Sequence, residues 1–262
     1  MVGNGYGAGM DLGLTGKRAA VAASSAGLGL ASARALVRAG ARVAICGRDV
    51  ERLDSASASL RDMTPDADIV AFTADVGTAA GATAFVEQAR DALGGIDVLV
   101  PNAGGPPAGT FSSTPIDAYG PAIELNLLST VAMCHAAVPN MKDQGWGRIV
   151  AITSISVRQP TSHLILSNTA RAGVTGFLKT LATEVAPHGV TVNSVQPGLH
   201  ATDRLSALHT GDPSELAAGV PVRALGRPED FGSVVAFLCS DQARFITGAA
   251  VPVDGGTHQG LQ

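Results

Sequence analysis

Short runs rich in valine, isoleucine and alanine recur along the chain, and most are followed by a longer stretch of helical character. The runs are "RAAVAA" (18–23), "RVAICG" (42–47), "DIVAFTA" (68–74), "IDVLVPNAGG" (96–105), "GRIVAITS" (147–154), "TVNSVQPG" (191–198) and "AAVPVDGG" (249–256). None alternates strictly between apolar and polar residues, so each reads as a strand covered on both faces. Helices are expected over Gly27–Arg38, the 50s, the 80s, Pro115–Met141, Ser162–Ala186 and Pro228–Ser240, with a looser stretch over 199–226. Strands of this kind separated by helices argue a parallel sheet with helices on both sides, joined by right-handed crossovers.

The chain has 262 residues, 46% of them hydrophobic, which suits one sizeable core. No internal repeat and no proline- or serine-rich linker divides it. The expected fold class is α/β: a single-domain Rossmann-type doubly wound sheet of about seven mostly parallel strands, spanning 14–262 after a glycine-rich, flexible leader at 1–13. Net charge is −4 and only 15% of residues are charged, without basic blocks, which argues against nucleic acid as a partner. No uninterrupted apolar run is long enough to span a bilayer, and the N-terminus lacks the charged-then-apolar order of a secretion signal. Cys46, Cys134 and Cys239 lie far apart among apolar neighbours, in no zinc or disulfide pattern. They are expected to be buried, unreactive thiols of a cytoplasmic protein, and no metal site is expected.

In such a fold, ligands bind beyond the carboxyl ends of the strands. The first strand runs into "AASSAGLGLASARAL", where Gly27 and Gly29 allow close backbone approach and leave amide N–H groups free for a phosphate. Ser24 and Ser25 offer hydroxyl contacts. Ala23 stands where a first glycine is expected, and alanine is tolerable there if its φ stays negative. Arg48 follows the second strand about twenty residues past the loop, where an acidic residue would suit an NAD ribose. An arginine there suits the 2′-phosphate of NADP instead, although a solvated loop arginine is the plainer alternative. Asp75 ends the third strand, as an acceptor for an adenine amino group or as a helix N-cap.

The motifs "ASSAGLG", "ADV", "PNAGG", "ELNLLS", "GRIVAITSIS", "ARAGVTGF", "VTVNSVQPG" with Thr202, and "ITGAAVPVDGG" follow one another in order. By these the chain resembles the classical short-chain dehydrogenase/reductase family, and 3-oxoacyl-(acyl carrier protein) reductases in particular, from about Leu14 to Gly256. The resemblance implies that Ser24, Ser25, Gly27, Leu28 and Gly29 hold the pyrophosphate and adenosine ribose. It implies that Arg48 selects NADP(H) over NAD(H), that Asp75 and Val76 flank the adenine, and that Asn102, Ala103 and Gly104 lie beside the adenosine ribose and the nicotinamide half. Pro197, Gly198 and Thr202 would embrace the nicotinamide amide. Asn126 matches the asparagine that bends the long helix and holds a proton-relay water, and Ser154 the serine that bonds the substrate carbonyl. The family also implies pairing of the two long helices between subunits, giving a homo-oligomer, dimer or tetramer. The small residues Ala170, Gly173 and Gly176 would permit that pairing, or packing against the sheet.

The chain departs from the family pattern at Pro101, at Ala23 and, above all, in the helix after "GRIVAITS". The family's tyrosine position, thirteen residues after Ser154, is Ser167, and its lysine position is Arg171. The only tyrosines are Tyr6 and Tyr119, and no shift of register brings either into this helix. A serine hydroxyl is a weaker acid than a phenol and shorter by a ring, so Ser167 does not take over the proton transfer. Arg171 keeps the positive charge and reaches ribose hydroxyls with a planar fork, but does not readily shuttle a proton. General acid catalysis contributes about 10²–10⁴-fold, whereas positioning supplies effective molarities of about 10⁵–10⁸ M. A reductase without the tyrosine therefore remains useful on a reactive carbonyl, or on a substrate that carries its own acid. Other donor candidates are His163, His200 and Tyr119; Arg158 is a candidate for an anionic substrate. His135, His188, His209 and His258 fall in no pattern that suggests a ligand.

The catalytic candidates are thus Asn126, Ser154, Ser167 and Arg171, for an NADP(H)-dependent carbonyl reductase or alcohol dehydrogenase acting on a small molecule. Two alternatives stay open: a nucleotide-binding enzyme with non-redox chemistry, and an inactive binding or scaffold subunit.

Overall fold

The computed structural model describes residues 10–209 and 211–261. Seven strands, β1 (Arg18–Val21), β2 (Arg42–Gly47), β3 (Ile69–Thr73), β4 (Val98–Val100), β5 (Gly147–Ile152), β6 (Val190–Pro197) and β7 (Ala250–Val253), form one sheet in the order β3-β2-β1-β4-β5-β6-β7. Every neighbouring pair is parallel. The order reverses at β1, and the crevice between β1 and β4 is where such sheets bind ligands.

Helices cover both faces. On one side lie α1 (Gly27–Arg38), α2 (Val50–Met63) and α9 (Pro228–Cys239); on the other lie α3 (Ala79–Leu93), α5 (Ser129–Asp143) and α6 (Ile165–Val185). Strand side chains alternate between the faces with period two. Ala20, Ala22, Ala44 and Cys46 therefore meet Phe85, Met133 and Met141, while Ala19, Val21, Val43 and Ile45 meet Leu36, Leu60 and Phe231. Each of the larger side chains is fully buried, worth about 1.5–3 kcal/mol apiece in water-to-core transfer. Cys46, Cys134 and Cys239 are buried and unpaired, and burial pushes each thiol up to about 12.

The amino-terminal edge of the sheet, away from the crevice, is closed by an ion pair. Arg18 Nη2 donates to Asp97 Oδ1 at 2.7 Å and Arg18 Nε to Asp97 Oδ2 at 2.8 Å. The Arg18 backbone N–H also donates to Asp97 Oδ2, at 2.8 Å.

The long helix expected over Pro115–Met141 is interrupted. It begins as α4 (Tyr119–Ile123), widens into a π-helical turn over Glu124–Leu128, and resumes as α5. The whole helical run Ile116–Asp143 has the length and apolar composition to pass for a membrane span, even though polar residues interrupt its apolar ones. It packs instead on the sheet, with Met133, Cys134, Ala137 and Met141 in the core. The stretch 199–226, expected to be loose, contains α7 (Asp203–Leu208) and α8 (Pro213–Gly219). Thr202 and Asp212 cap them, accepting from Leu205 N at 3.4 Å and Ser214 N at 2.8 Å.

Most of the leader, residues 1–9, lies outside the described residues. Its last part is tied down: the Asp241 N–H donates to Leu12 O, and Gln242 Nε2 to Asp11 O.

Candidate active site

The carboxyl ends of β1, β4, β5 and β6 open into a cavity of about 520 Å³, roofed by the segment that carries α7. Its floor is main chain. At Gly104 an added Cβ would meet nothing within 4 Å, and at Gly27 only Thr202 Cγ2, at 3.9 Å. At Gly29, by contrast, a Cβ would fall 2.4 Å from Ala23 O, so the loop closes on α1 only because that residue has no side chain.

Ala23 adopts φ +45°, against the expectation of a negative value. The left-handed conformation costs an alanine roughly 1–2 kcal/mol. It is held by the Ala23 N–H on Cys46 Sγ at 3.3 Å and by Asn102 Nδ2 donating to Ala23 O at 3.2 Å. The N-terminus of α1 has no side-chain cap and no acidic residue in its first turn, so its free N–H groups face the cavity through Ala26–Gly29. An uncapped helix end over a glycine floor fits the pyrophosphate of a nicotinamide dinucleotide.

Gly27, Leu28, Gly29, Asn102, Ala103, Gly104, Ser154, Ser167, Arg171, Pro197, Gly198 and Thr202 all line this cavity, as the sequence reading groups them. Six other candidates do not. Ser24 is fully buried: its hydroxyl donates to Val21 O at 2.6 Å and accepts from Cys46 N at 3.1 Å, so it ties β1 to β2 and has no hydrogen left for a phosphate. Ser25 lies in an adjoining groove with Arg34, Arg52 and Ser59. Arg48 is exposed and lines neither the cavity nor the groove; Arg34 and Arg52, which sequence reasoning missed, line the groove, and Arg52 lines the cavity as well. Asp75 is exposed and accepts from Gly77 N at 3.0 Å, and Val76 is buried in the core.

Asn126 sits within the π turn, behind the cavity wall. It is buried, and its Nδ2 donates to Gly104 O at 2.9 Å, fixing the cavity floor to the long helix. Its Oδ1 makes no hydrogen bond to protein among the described residues. Ser154 starts a 3₁₀ turn and accepts from Ser156 N at 3.1 Å.

Ser167 and Arg171 lie one turn apart on α6. Arg171 reaches across to the end of β5, where Nη1 donates to Ile152 O at 3.1 Å and Thr153 O at 3.2 Å. Burial, and then the charge of Arg204, bring its guanidinium down to about 10, so it remains a cation at neutral pH. Arg204, on α7, also lines the cavity and donates to Pro106 O at 3.0 Å. It too was missed, because nothing local in the sequence marks it.

Of the alternative donors, His163 lines the cavity beside Leu164, held there by Gly109 N donating to His163 O at 2.7 Å. Its ring stands edge to face with His209, centroids 6.4 Å apart. His200 is buried edge-on against Phe231, with Nδ1 3.2 Å from Gly198 O. Burial favours its neutral form, only partly offset by that carbonyl and by Asp230 and Asp254. Tyr119 does not line the cavity. Arg158 Nη2 donates to Ala250 O at 3.0 Å and is not part of the cavity wall. No group of three or more His, Cys, Asp or Glu side chains able to hold a metal occurs among the described residues.

Residues 22–258 match the family model described as enoyl-(acyl carrier protein) reductase. Human dehydrogenase/reductase SDR family member 4 is 34% identical over 251 residues, covering 95% of this chain and 90% of that protein. L-Sorbose reductase from Gluconobacter frateurii, solved with NADPH and L-sorbose, superposes with a TM-score of 0.89 at 33% identity, over 96% of this chain and all of that one. An NADPH-bound short-chain oxidoreductase from Pseudomonas aeruginosa PAO1, described as containing an atypical catalytic center, gives 0.87 at 32% identity over 94% of this chain and 100% of that one. These similarities run nearly end to end, across the strands that build the cavity as well as the helices that cover them, and the chain belongs to the short-chain dehydrogenase/reductase family.

Proposed function

We propose that the chain is an NADP(H)-dependent oxidoreductase, a carbonyl reductase or alcohol dehydrogenase, that works without a tyrosine acid. The observation that carries this reading is the convergence of Ser154, Ser167 and Arg171 with Asn102–Gly104 and Pro197–Gly198 on one cavity at the switch point of the sheet. A bound reduced nicotinamide cofactor would supply a hydride to a carbonyl carbon, and the carbonyl oxygen must then gain a proton to become an alcohol.

The chain's own residues divide the remaining work. The Ser154 hydroxyl donates to the carbonyl oxygen and orients it. Arg171 holds a fixed positive charge where negative charge develops on that oxygen, a preorganised electrostatic contribution. Asn126 anchors the floor through Gly104. The proton comes from His163, which lines the cavity together with His200 and His209, or from an acidic group on the substrate itself. The preference for NADP rests on Arg34 and Arg52, whose groove adjoins the first turn of α1. The same reading places the protein in the cytoplasm as a dimer or tetramer. Ala170 and Gly173 are used within the chain, Gly173 against Leu127, whereas Gly176 has open space beside it for a second subunit.

Incubating the purified protein with NADPH and a panel of activated ketones, quinones and phenol-adjacent ketones tests the proposal. Alcohol formation matched one-for-one by NADPH oxidation is expected. Product formed without a change in the cofactor's oxidation state would instead favour the non-redox alternative, and no NADPH binding at all would favour the scaffold.

A further inference from the structure

Three arginines line the cavity: Arg52 pairs with Asp49 at 3.8 Å, whereas Arg171 and Arg204 have no carboxylate partner within ion-pair distance among the described residues. Both Nη1 bonds of Arg171 go to backbone carbonyls, leaving Nε and Nη2 without a protein acceptor among the described residues. Arg204 spends one bond on Pro106 O, and its guanidinium packs so close to Gly105 that a Cβ there would lie 2.6 Å from Nη2. It is therefore tethered at the cavity edge by the Gly105–Pro106 segment, although much of its side chain stays exposed. The two charges are near enough that Arg204 lowers the proton affinity of Arg171. His163 and His209 complete this side, and Asp203 is the one carboxylate among the lining residues. Like charges placed together in a partly buried wall are costly unless an anion joins them. The planar guanidinium fork suits the two oxygens of a carboxylate.

We infer that Arg171 and Arg204 form an anion subsite, so that the carbonyl substrate carries a carboxylate. This rests on the reductase reading for the carbonyl but on the two arginines for the anion. The alternative source of anionic oxygens is the cofactor's own pyrophosphate.

Calorimetry on the protein–NADP⁺ complex, with matched 2-, 3- and 4-oxo acids and their methyl esters, separates these. At least one acid should bind about 10-fold or more tightly than its ester, the scale of a charge-assisted hydrogen-bond pair. Arg204→Gln should remove most of that preference with NADP⁺ affinity unchanged, and Arg204→Lys should restore part of it. Arg204 is exposed and on α7, outside the core, so these variants are expected to fold. Equal binding of acids and esters would overturn the inference. So would a loss of NADP⁺ affinity in Arg204→Gln as large as the loss of acid affinity, since the arginines would then serve the cofactor. Acids that bind selectively but are never reduced by NADPH would leave the subsite standing and sink the reductase reading. Neutral ketones reduced as well as their acid counterparts would do the reverse.

Discussion

At the β1–α1 end of the cavity the ligand-facing surface is backbone, presented by Gly27, Gly29 and Gly104. At the α6 end it is side chains: Ser154, Ser167, Arg171 and, from the roof, Arg204. The first end tolerates an irregular residue, Ala23, because neighbouring contacts hold its main chain in place. The second end has no such tolerance, since each side chain is its own chemistry. A protein can thus keep a dinucleotide floor intact while the acid that completes the reaction is replaced.

The sharpest way to probe that contrast is to rebuild the side-chain end. Ser167→Tyr combined with Arg171→Lys should raise kcat on simple ketones by about 10²–10⁴-fold, the usual worth of a positioned general acid. Steady-state rates of the double variant against each single one check this, and no gain would mean that the cavity does not hold a carbonyl near Ser154. Next in size is a control far from the cavity. Asp97 is buried, and although desolvation opposes its ionisation, hydrogen bonds and charge from Arg18 hold its carboxyl below the usual value. The stabilisation is therefore present above the ordinary carboxylate pKa and is lost as pH falls below it, through the depressed folded-state value. Asp97→Asn should cost about 3 kcal/mol in urea unfolding at neutral pH and flatten the acid limb of stability against pH, leaving NADPH affinity of the folded protein unchanged.

Gly29→Val tests the backbone end. The new side chain would strike Ala23 O, a main-chain atom that cannot swing away. A loss of about 1–3 kcal/mol is expected, with weakened NADPH binding by calorimetry. Smallest is Ala23→Gly, which relieves a left-handed alanine but adds freedom to the unfolded chain. Chemical denaturation should show a net gain of about 0.5–1 kcal/mol. A loss instead would mean that Ala23 is not strained, and that this end depends on its side chains after all.

The regular elements were readable because their signals are local. The bounds of α1 and β2 agree with the sequence expectation, since apolar periodicity and the flanking Gly40 and Asp49 lie within a few residues of each end. β4 was read too long: after Val100, Pro101 brings no N–H to a ladder and the chain leaves the sheet to form the cavity floor. The caps of α7 and α8 are legible in "ATDRL" and "GDPSE", but these short helices carry no apolar stripe to mark them. The sign of φ at Ala23 and the pairing of Arg171 with Arg204 depend on contacts between distant segments, which a linear pattern does not carry. The same holds for the groove position of Arg34 and Arg52, set by how α1 lies against α2.

The π turn at Glu124–Leu128 has a wider consequence for how the long helix tolerates change. A helix advances about 100° per residue, so one extra residue in a turn puts the segments on either side out of phase. Here α4 faces α6, whereas α5 faces α3, two neighbours that a regular rod could not serve with the same spacing of side chains. Deleting a single residue between 124 and 128 would restore even periodicity and, in doing so, rotate one of these faces away from its partner. Length in this short stretch is therefore as tightly specified as residue identity elsewhere, even though the stretch lies in the middle of a helix, where a one-residue change usually reads as a minor slip.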